Sequence, residues 1–190
     1  TAGTFHSVCL RILRKHHEAA GYASSFTIYD TDDTKKAIQA CMKELSIDEK
    51  TLAVRSVQSA ISRAKDRLIG PRQFAAEAGC DYTLERIANI YDCYQKRLKS
   101  GNALDFDDII METVKLLREN GEIRDYYQRR YKYVCVDEYQ DTNEAQFELI
   151  KLLSGGYRNI MVVGDDDQSI YKFRGARIEN ILSFEKNYEG

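Results

Sequence analysis

Apolar residues recur along the first hundred positions at three- and four-residue intervals, the spacing that gathers them on one side of an α-helix. Val8, Ile12 and Leu13 predict a helix over residues 5–19, with Gly21 just past its stop. Asp30 or Thr31 is placed to cap a second, running to about Leu45 with Ala37, Ile38, Cys41, Met42 and Leu45 on one face. Val54, Val57, Ile61, Ala64 and Leu68 predict a third over about 51–69. Gly70-Pro71 ends it, because proline cannot continue the backbone bonding and disfavours helix in the residue before it. A fourth, over 82–99, carries Leu84, Ile87, Ile90, Tyr91, Tyr94 and Leu98 and closes at Gly101. Residues 20–100 therefore read as helical throughout, without a strand candidate.

Beyond residue 100 the period changes. Helices at about 105–119, 123–130 and 143–154 are joined by two brief apolar runs, Tyr133–Val136 and Asn159–Val163. Short apolar runs bounded by turn signals and separated by a helix suggest buried parallel strands of a βαβ unit. The first run ends in Asp137-Glu138 and the second in Gly164-Asp165-Asp166-Asp167. Ligands of an open parallel sheet bind beyond the carboxyl ends of its strands, so these carboxylates lie where chemistry is expected.

Composition changes this picture little. A chain of 190 residues, 43% hydrophobic and 31% charged, describes one soluble globular domain, or one domain with a sizeable insertion, and excludes a disordered or fibrous chain. No apolar stretch approaches 18 residues and no basic, then apolar, leader is present, so neither a membrane span nor a secretory signal is expected. The five cysteines (Cys9, Cys41, Cys80, Cys93, Cys135) are scattered and form no Cys-x-x-Cys pair. This argues against a disulfide framework or zinc site and points to a reducing cytoplasm. The net charge is −2, and residues 101–190 hold eighteen acidic against twelve basic side chains. Charge alone does not announce nucleic-acid binding.

Val134-Cys135-Val136-Asp137-Glu138 has the pattern of a Walker B strand, in which one carboxylate serves Mg²⁺ and the next polarises a water. Taken alone, the acidic pair reads more simply as a turn after a buried strand. Its context reverses this. Val136-Asp137-Glu138-Tyr139-Gln140-Asp141-Thr142-Asn143, followed by Gln146, and Val163-Gly164-Asp165-Asp166-Asp167-Gln168-Ser169-Ile170-Tyr171-Lys172-Phe173-Arg174-Gly175-Ala176 together resemble motifs II and III of the UvrD/PcrA/Rep-type superfamily 1 DNA helicases. Gly3-Thr4-Phe5-His6-Ser7 and Asn102-Ala103-Leu104-Asp105-Phe106-Asp107-Asp108 resemble two further segments of that family, in the same order.

The resemblance implies an α/β fold: part of a RecA-like P-loop NTPase parallel sheet with an all-helical insertion. Residues 1–19 and 101–190 would belong to the ATPase domain 1A, and residues 20–100 would form the helical subdomain 1B. It implies ATP and Mg²⁺ as cofactors, and single-stranded DNA, a duplex junction and the rest of a helicase chain as partners. That remainder would include the Walker A segment and a second RecA-like domain. The sequence Gly-x-x-x-x-Gly-Lys-[Ser/Thr] does not occur here, so the chain is expected to be a helicase fragment that alone hydrolyses no ATP. The parent is expected to be an ATP-dependent helicase translocating on single-stranded DNA. A subunit of a helicase–nuclease fits the same motifs, and a non-catalytic DNA- or partner-binding module is the rival of a different class.

By the same resemblance, Asp137 would hold Mg²⁺ and Glu138 would orient and deprotonate the attacking water. Gln168 would sense the γ-phosphate, Gln140 would join its network, and Arg174 would pair with motif II carboxylates or reach phosphate. Tyr171 and Phe173, two apart, would face single-stranded bases, with Phe173 standing where the family most often has Trp. Thr4 and His6 would touch the DNA backbone. On the third helix, Arg55, Ser59, Arg63 and Arg67 form a stripe opposite the apolar face. It reads as solvated surface or, given the resemblance, as a track for duplex phosphates. His16-His17 read as solvated helix surface, and Asp105, Asp107 and Asp108 as acidic residues favoured at a helix N-terminus.

Overall fold

The computed structural model describes residues 1–165, so the expectations for Gln168, Tyr171, Phe173 and Arg174 lie outside the described residues. The chain divides into a unit of Thr1–Ile109 and a second from Ile110 onward. The described residues form a mixed α/β structure, mostly helical, with two pairs of short parallel strands.

In the first unit, α1 (Phe5–Lys15) starts at Thr4, whose side-chain oxygen accepts from the Ser7 N–H at 3.3 Å. It buries Cys9, Ile12 and Leu13 and ends four residues earlier than expected; His16 and His17 lie half-buried in the turns that follow rather than on a solvated helix. Strand β1 (Thr27–Ile28) pairs in parallel with β2 (Ala103–Leu104), in the register Thr27↔Ala103 and Ile28↔Leu104. This corrects the strand-free reading of residues 20–100. Two residues are too few for alternation to show. What fixes them lies far along the chain: Asn102, at φ +47°, accepts from the Ala23 N–H through its side chain (2.8 Å) and from the Thr27 N–H through its carbonyl (3.0 Å).

Helix α2 (Thr31–Glu44) is capped by Asp30, which accepts from the Asp33 N–H at 2.8 Å. Helix α3 (Val54–Asp66) stops short of residue 69 because Leu68 turns at φ +58°. Pro71 then opens α4 (Pro71–Ala78), a helix that reading the proline as a stop had missed. The missing proline N–H costs nothing at a first helical position, where it would have no intrahelical partner. Asp81 caps α5 (Tyr82–Ser100) by accepting from the N–H groups of Thr83 and Leu84. Ile38, Cys41 and Met42 of α2, Val57, Ile61 and Ala64 of α3, and Ile90, Tyr91, Tyr94 and Leu98 of α5 form the core. Leu45 and Leu84, counted in those stripes, stay exposed.

One polar group sits inside this core. Lys65 of α3 is 1% exposed, with its Nζ 2.6 Å from Asp105 Oδ2 and 2.7 Å from Asp108 Oδ1. Tyr94 donates its hydroxyl to the same Asp105 oxygen at 2.9 Å, Gln95 donates to Asp108 at 3.1 Å, and the ammonium stands 5.2 Å from the Tyr94 ring centre. Burial opposes the charge on Lys65, but Asp108 and Asp105 outweigh it and hold its pKa above the ordinary ammonium value. Burial likewise works against Asp105, and the Lys65 ammonium overrides it and pulls that carboxyl down.

Helix α6 (Phe106–Glu119), within which the division between the units falls, follows directly. The second unit continues with α7 (Gly121–Arg130), β3 (Val134–Val136), a 3₁₀ turn at Tyr139–Asp141, α8 (Glu144–Ser154) and β4 (Ile160–Val162). As the apolar runs suggest, β3 and β4 are parallel and joined through a helix, with Val134↔Ile160, Cys135↔Met161 and Val136↔Val162 opposed. They are not the buried strands expected, since only Val136 is buried while Cys135 and Met161 face solvent. Asn143 and Gln146 close a reciprocal capping box at the start of α8. Gly155 and Gly156 pass so close to α7 that a Cβ on either would come within 2.8 Å of Gln128. All five cysteines are free thiols, and no helix among the described residues is long and apolar enough to cross a membrane.

Replacing Lys65 by Met leaves two buried carboxylates facing each other. It should cost about 3–5 kcal/mol of unfolding free energy in urea titration, against under about 0.5 for a surface lysine. A second expectation concerns pH. Burial, together with Asp107, raises Asp66 to about 7, above its value of about 3.9 in an unfolded chain. The folded state then holds the extra proton between roughly pH 4 and 7, so stability present at low pH is lost as pH rises through that window. Asp66→Asn should flatten this slope, and identical stability–pH curves for the two proteins would contradict it.

Candidate functional site

The backbone ladder between β3 and β4 continues past both strands. The Val163 N–H donates to the Val136 carbonyl at 2.8 Å, and the Tyr139 N–H donates to the Val163 carbonyl at 2.9 Å. Asp137 and Glu138 are thereby brought beside Gly164 and Asp165 at the carboxyl edge of the pair. Glu138 adopts the left-handed conformation, φ +52° and ψ +41°, which costs a residue with a Cβ about 1–2 kcal/mol. That bend throws the chain out of the strand and into the 3₁₀ turn. It is held by Tyr139, fully buried, and by the Thr142 hydroxyl donating to the Tyr139 carbonyl at 2.7 Å.

Gln140 is 1% exposed and uses both ends of its amide. Its Nε2 donates to Glu138 Oε2 at 2.7 Å, and its Oε1 accepts from the Asp165 N–H at 3.0 Å. One side chain therefore ties the left-handed carboxylate to the end of the neighbouring strand. Asp137 accepts from the Glu138 N–H at 3.0 Å and is exposed, as is Glu138. The Asp141 carboxyl is raised by its loss of solvent and by the charge of Glu138. The structure thus brings together Asp137, Glu138 and Gln140 of the expected site.

An exposed strand-end carboxylate is a hard oxygen ligand suited to Mg²⁺, which dehydrates reluctantly and needs few protein ligands when phosphates supply others. Among the described residues no three His, Cys, Asp or Glu side chains converge as a metal cage. Asp137 fits the one-carboxylate arrangement.

A second group lies in the first unit. His6, in the first turn of α1, stacks on Phe106 with ring centres 3.8 Å apart and planes 21° from parallel. Partial burial lowers the His6 pKa, outweighing a hydrogen bond with the Phe106 backbone, so the ring is neutral near pH 7. Thr4 spends an acceptor lone pair on its cap and can still donate its O–H. Phe106 is 58% exposed. Its spacing hides this, because a helical repeat places Phe106 with Ile109 and Ile110, both buried. The arginine stripe is on the surface: Arg55 and Arg63 are exposed on α3, and Arg67, just past its end, lies 4.0 Å from Glu77 with its side chain 55% exposed. Asp105 and Asp108 do cap α6 reciprocally, each side chain accepting from the other's N–H (2.8 and 3.2 Å). The helix dipole alone does not account for them, since their main partner is Lys65.

A family model described as the UvrD/REP helicase N-terminal domain matches residues 1–189. The chain belongs to that family. It is 48% identical, over 97% of its length, to the ATP-dependent DNA helicase PcrA of Staphylococcus aureus, and 47% identical over the same share to that of Bacillus subtilis. It spans about a quarter of the length of these curated relatives (25%). Membership in the UvrD/REP family covers both the Thr4–His6 segment and the β3–β4 edge.

Within the chain itself, Gln140→Leu should cost about 1–3 kcal/mol, because it removes both ends of the bridge and leaves a buried position without its bonds. Urea unfolding measures this, and a loss under about 0.3 kcal/mol would mean the amide carries nothing.

Proposed function

We propose that the whole protein is an ATP-dependent DNA helicase that moves along single-stranded DNA and opens duplex ahead of it. The observation that carries the reading is the Gln140 bridge, which holds an exposed carboxylate at the end of a parallel strand in a chain of the UvrD/REP family. In this reading residues 1–19 and 101–190 form the RecA-like ATPase domain 1A and residues 20–100 the helical subdomain 1B.

Asp137 would hold Mg²⁺, whose charge offsets that of the phosphates during transfer. Glu138 would accept the proton of the attacking water, with its second oxygen kept in place by Gln140. Because Gln140 also grips the Asp165 N–H, a shift at the end of β4 reaches the base directly. Gln168 is proposed to sense the γ-phosphate and Arg174 to pair with the same carboxylates. Both stand in the segment that follows Asp165.

DNA would meet Thr4, His6 and Phe106 in the first unit. A hydroxyl and a neutral imidazole donate to phosphate, and an exposed ring can stack on a base without regard to its identity. Tyr171 and Phe173 are proposed to stack on the same strand. Arg55, Arg63 and Arg67 would follow the phosphates of the duplex.

The 190-residue chain, lacking a Gly-x-x-x-x-Gly-Lys-[Ser/Thr] cradle, should show no ATP turnover above background with or without DNA. In the full-length protein, Glu138→Gln should lower DNA-stimulated hydrolysis by about 100-fold or more while ATP and DNA binding stay near normal, the range expected for loss of a general base. Near-normal turnover would remove Glu138 from that role. Arg55, Arg63 and Arg67 changed together to Glu should weaken duplex binding and flatten its dependence on log salt by about 0.9 for each lost phosphate contact. An unchanged slope would return the stripe to solvated surface.

A further inference from the structure

The buried ammonium of Lys65 is not spent on the core alone. Its two carboxylate partners flank Phe106: Asp105 immediately before it and Asp108 two residues after. Each of the pair accepts from the other's N–H, so the backbone on either side of Phe106 is closed into a ring of hydrogen bonds whose negative charge Lys65 partly offsets. Tyr94 and Gln95 of α5 pin the same two carboxylates from a second helix. Just upstream, Ala103 and Leu104 are fixed by pairing with β1. Phe106 is the exposed member of a corner in which Ala103, Leu104, Asp105 and Asp108 are buried, and its ring lies flat on His6.

We infer that Lys65 is a positioning residue for the DNA-contacting surface, holding the Asp105–Asp108 corner so that Phe106 stays presented to solvent and stacked on His6. The inference rests on the reading of Thr4, His6 and Phe106 as a DNA surface. It assigns to α3 a role separate from its arginines: the outer face carries Arg55 and Arg63, and the inner face sets the geometry at Phe106. The ammonium touches no DNA. It acts by standing between two carboxylates and offsetting part of the charge by which they would otherwise repel each other and open the corner.

The test uses the full-length protein and measures the concentration of single-stranded oligonucleotide giving half-maximal ATPase, together with kcat at saturating DNA and KM for ATP. Phe106→Ala should raise half-saturation about tenfold, as expected for the loss of one stacked base. Lys65→Met should raise it by a similar factor, about tenfold, leaving kcat and KM for ATP within about twofold, and should add little in the Phe106→Ala background because both act on one contact. Tyr94→Phe, which keeps every charge and the packing, should shift half-saturation in the same direction by about threefold, again only when Phe106 is present. It decides the matter if Lys65→Met does not fold. Multiplicative effects of Lys65→Met or Tyr94→Phe with Phe106→Ala, or a parallel fall in kcat, would overturn the inference and leave Lys65 a stability residue. If Phe106→Ala and His6→Ala both leave half-saturation unchanged, the DNA surface itself is misassigned and the inference falls with it. Sensitivity to Phe106→Ala with none to Lys65→Met or Tyr94→Phe overturns the inference alone.

Discussion

A charged ammonium cannot be taken out of water without anions in contact with it, and much of the first unit is arranged around meeting that requirement for Lys65. Two carboxylates of the β2–α6 corner meet the end of this one side chain, and a phenol hydroxyl and an amide of α5 bond those carboxylates in turn. Replacing such a cluster wholesale by apolar residues is often neutral, so its value lies less in net stability than in specifying one geometry. Here the geometry specified is that of residues 103–108, which both close the short β1–β2 pair and present Phe106 beside His6.

The second unit uses a different device. Two three-residue strands give little register by themselves, but the ladder extends through Val163 and Tyr139 and the Gln140 amide closes it with a side-chain bond at each end. The strain at Glu138 is local and is overdetermined by its surroundings: a buried Tyr139, the Thr142 bond and the Asp137 cap on its own N–H. A carboxylate so held has little freedom to reorient, which suits the role of base proposed for Glu138. Both units thus use buried polar bonds to hold an exposed side chain in one place.

Most helices were legible because their signals are local: Asp30 caps α2, and apolar residues at three- and four-residue steps line α2, α3 and α5. So were β3 and β4, where apolar runs end abruptly in acid. The β1–β2 pair was not, since Thr27–Ile28 owes its conformation to Asn102, some seventy-five residues away. Pro71 read as an end because the sequence shows the broken helix and hides the new one. Lys65 and Phe106 were missed for complementary reasons: the lysine was passed over between the arginines of one stripe and the apolar residues of the other, and the phenylalanine fits a buried face it does not join. Asp137, Glu138 and Gln140 were recognisable from their motif, yet the left-handed turn at Glu138 and the two-ended use of Gln140 are tertiary facts.

The carboxyl edge of β3 and β4 is the proposed site of nucleotide and metal. Manganese, a spectroscopic stand-in for magnesium, tests it in the full-length protein through electron paramagnetic resonance of bound Mn²⁺ with a non-hydrolysable ATP analogue. One nucleotide-dependent Mn²⁺ per chain is expected in the native protein, weakened by about tenfold or more in Asp137→Asn because a hard carboxylate ligand is replaced by a neutral amide. Undiminished, nucleotide-dependent Mn²⁺ binding in that variant would contradict it.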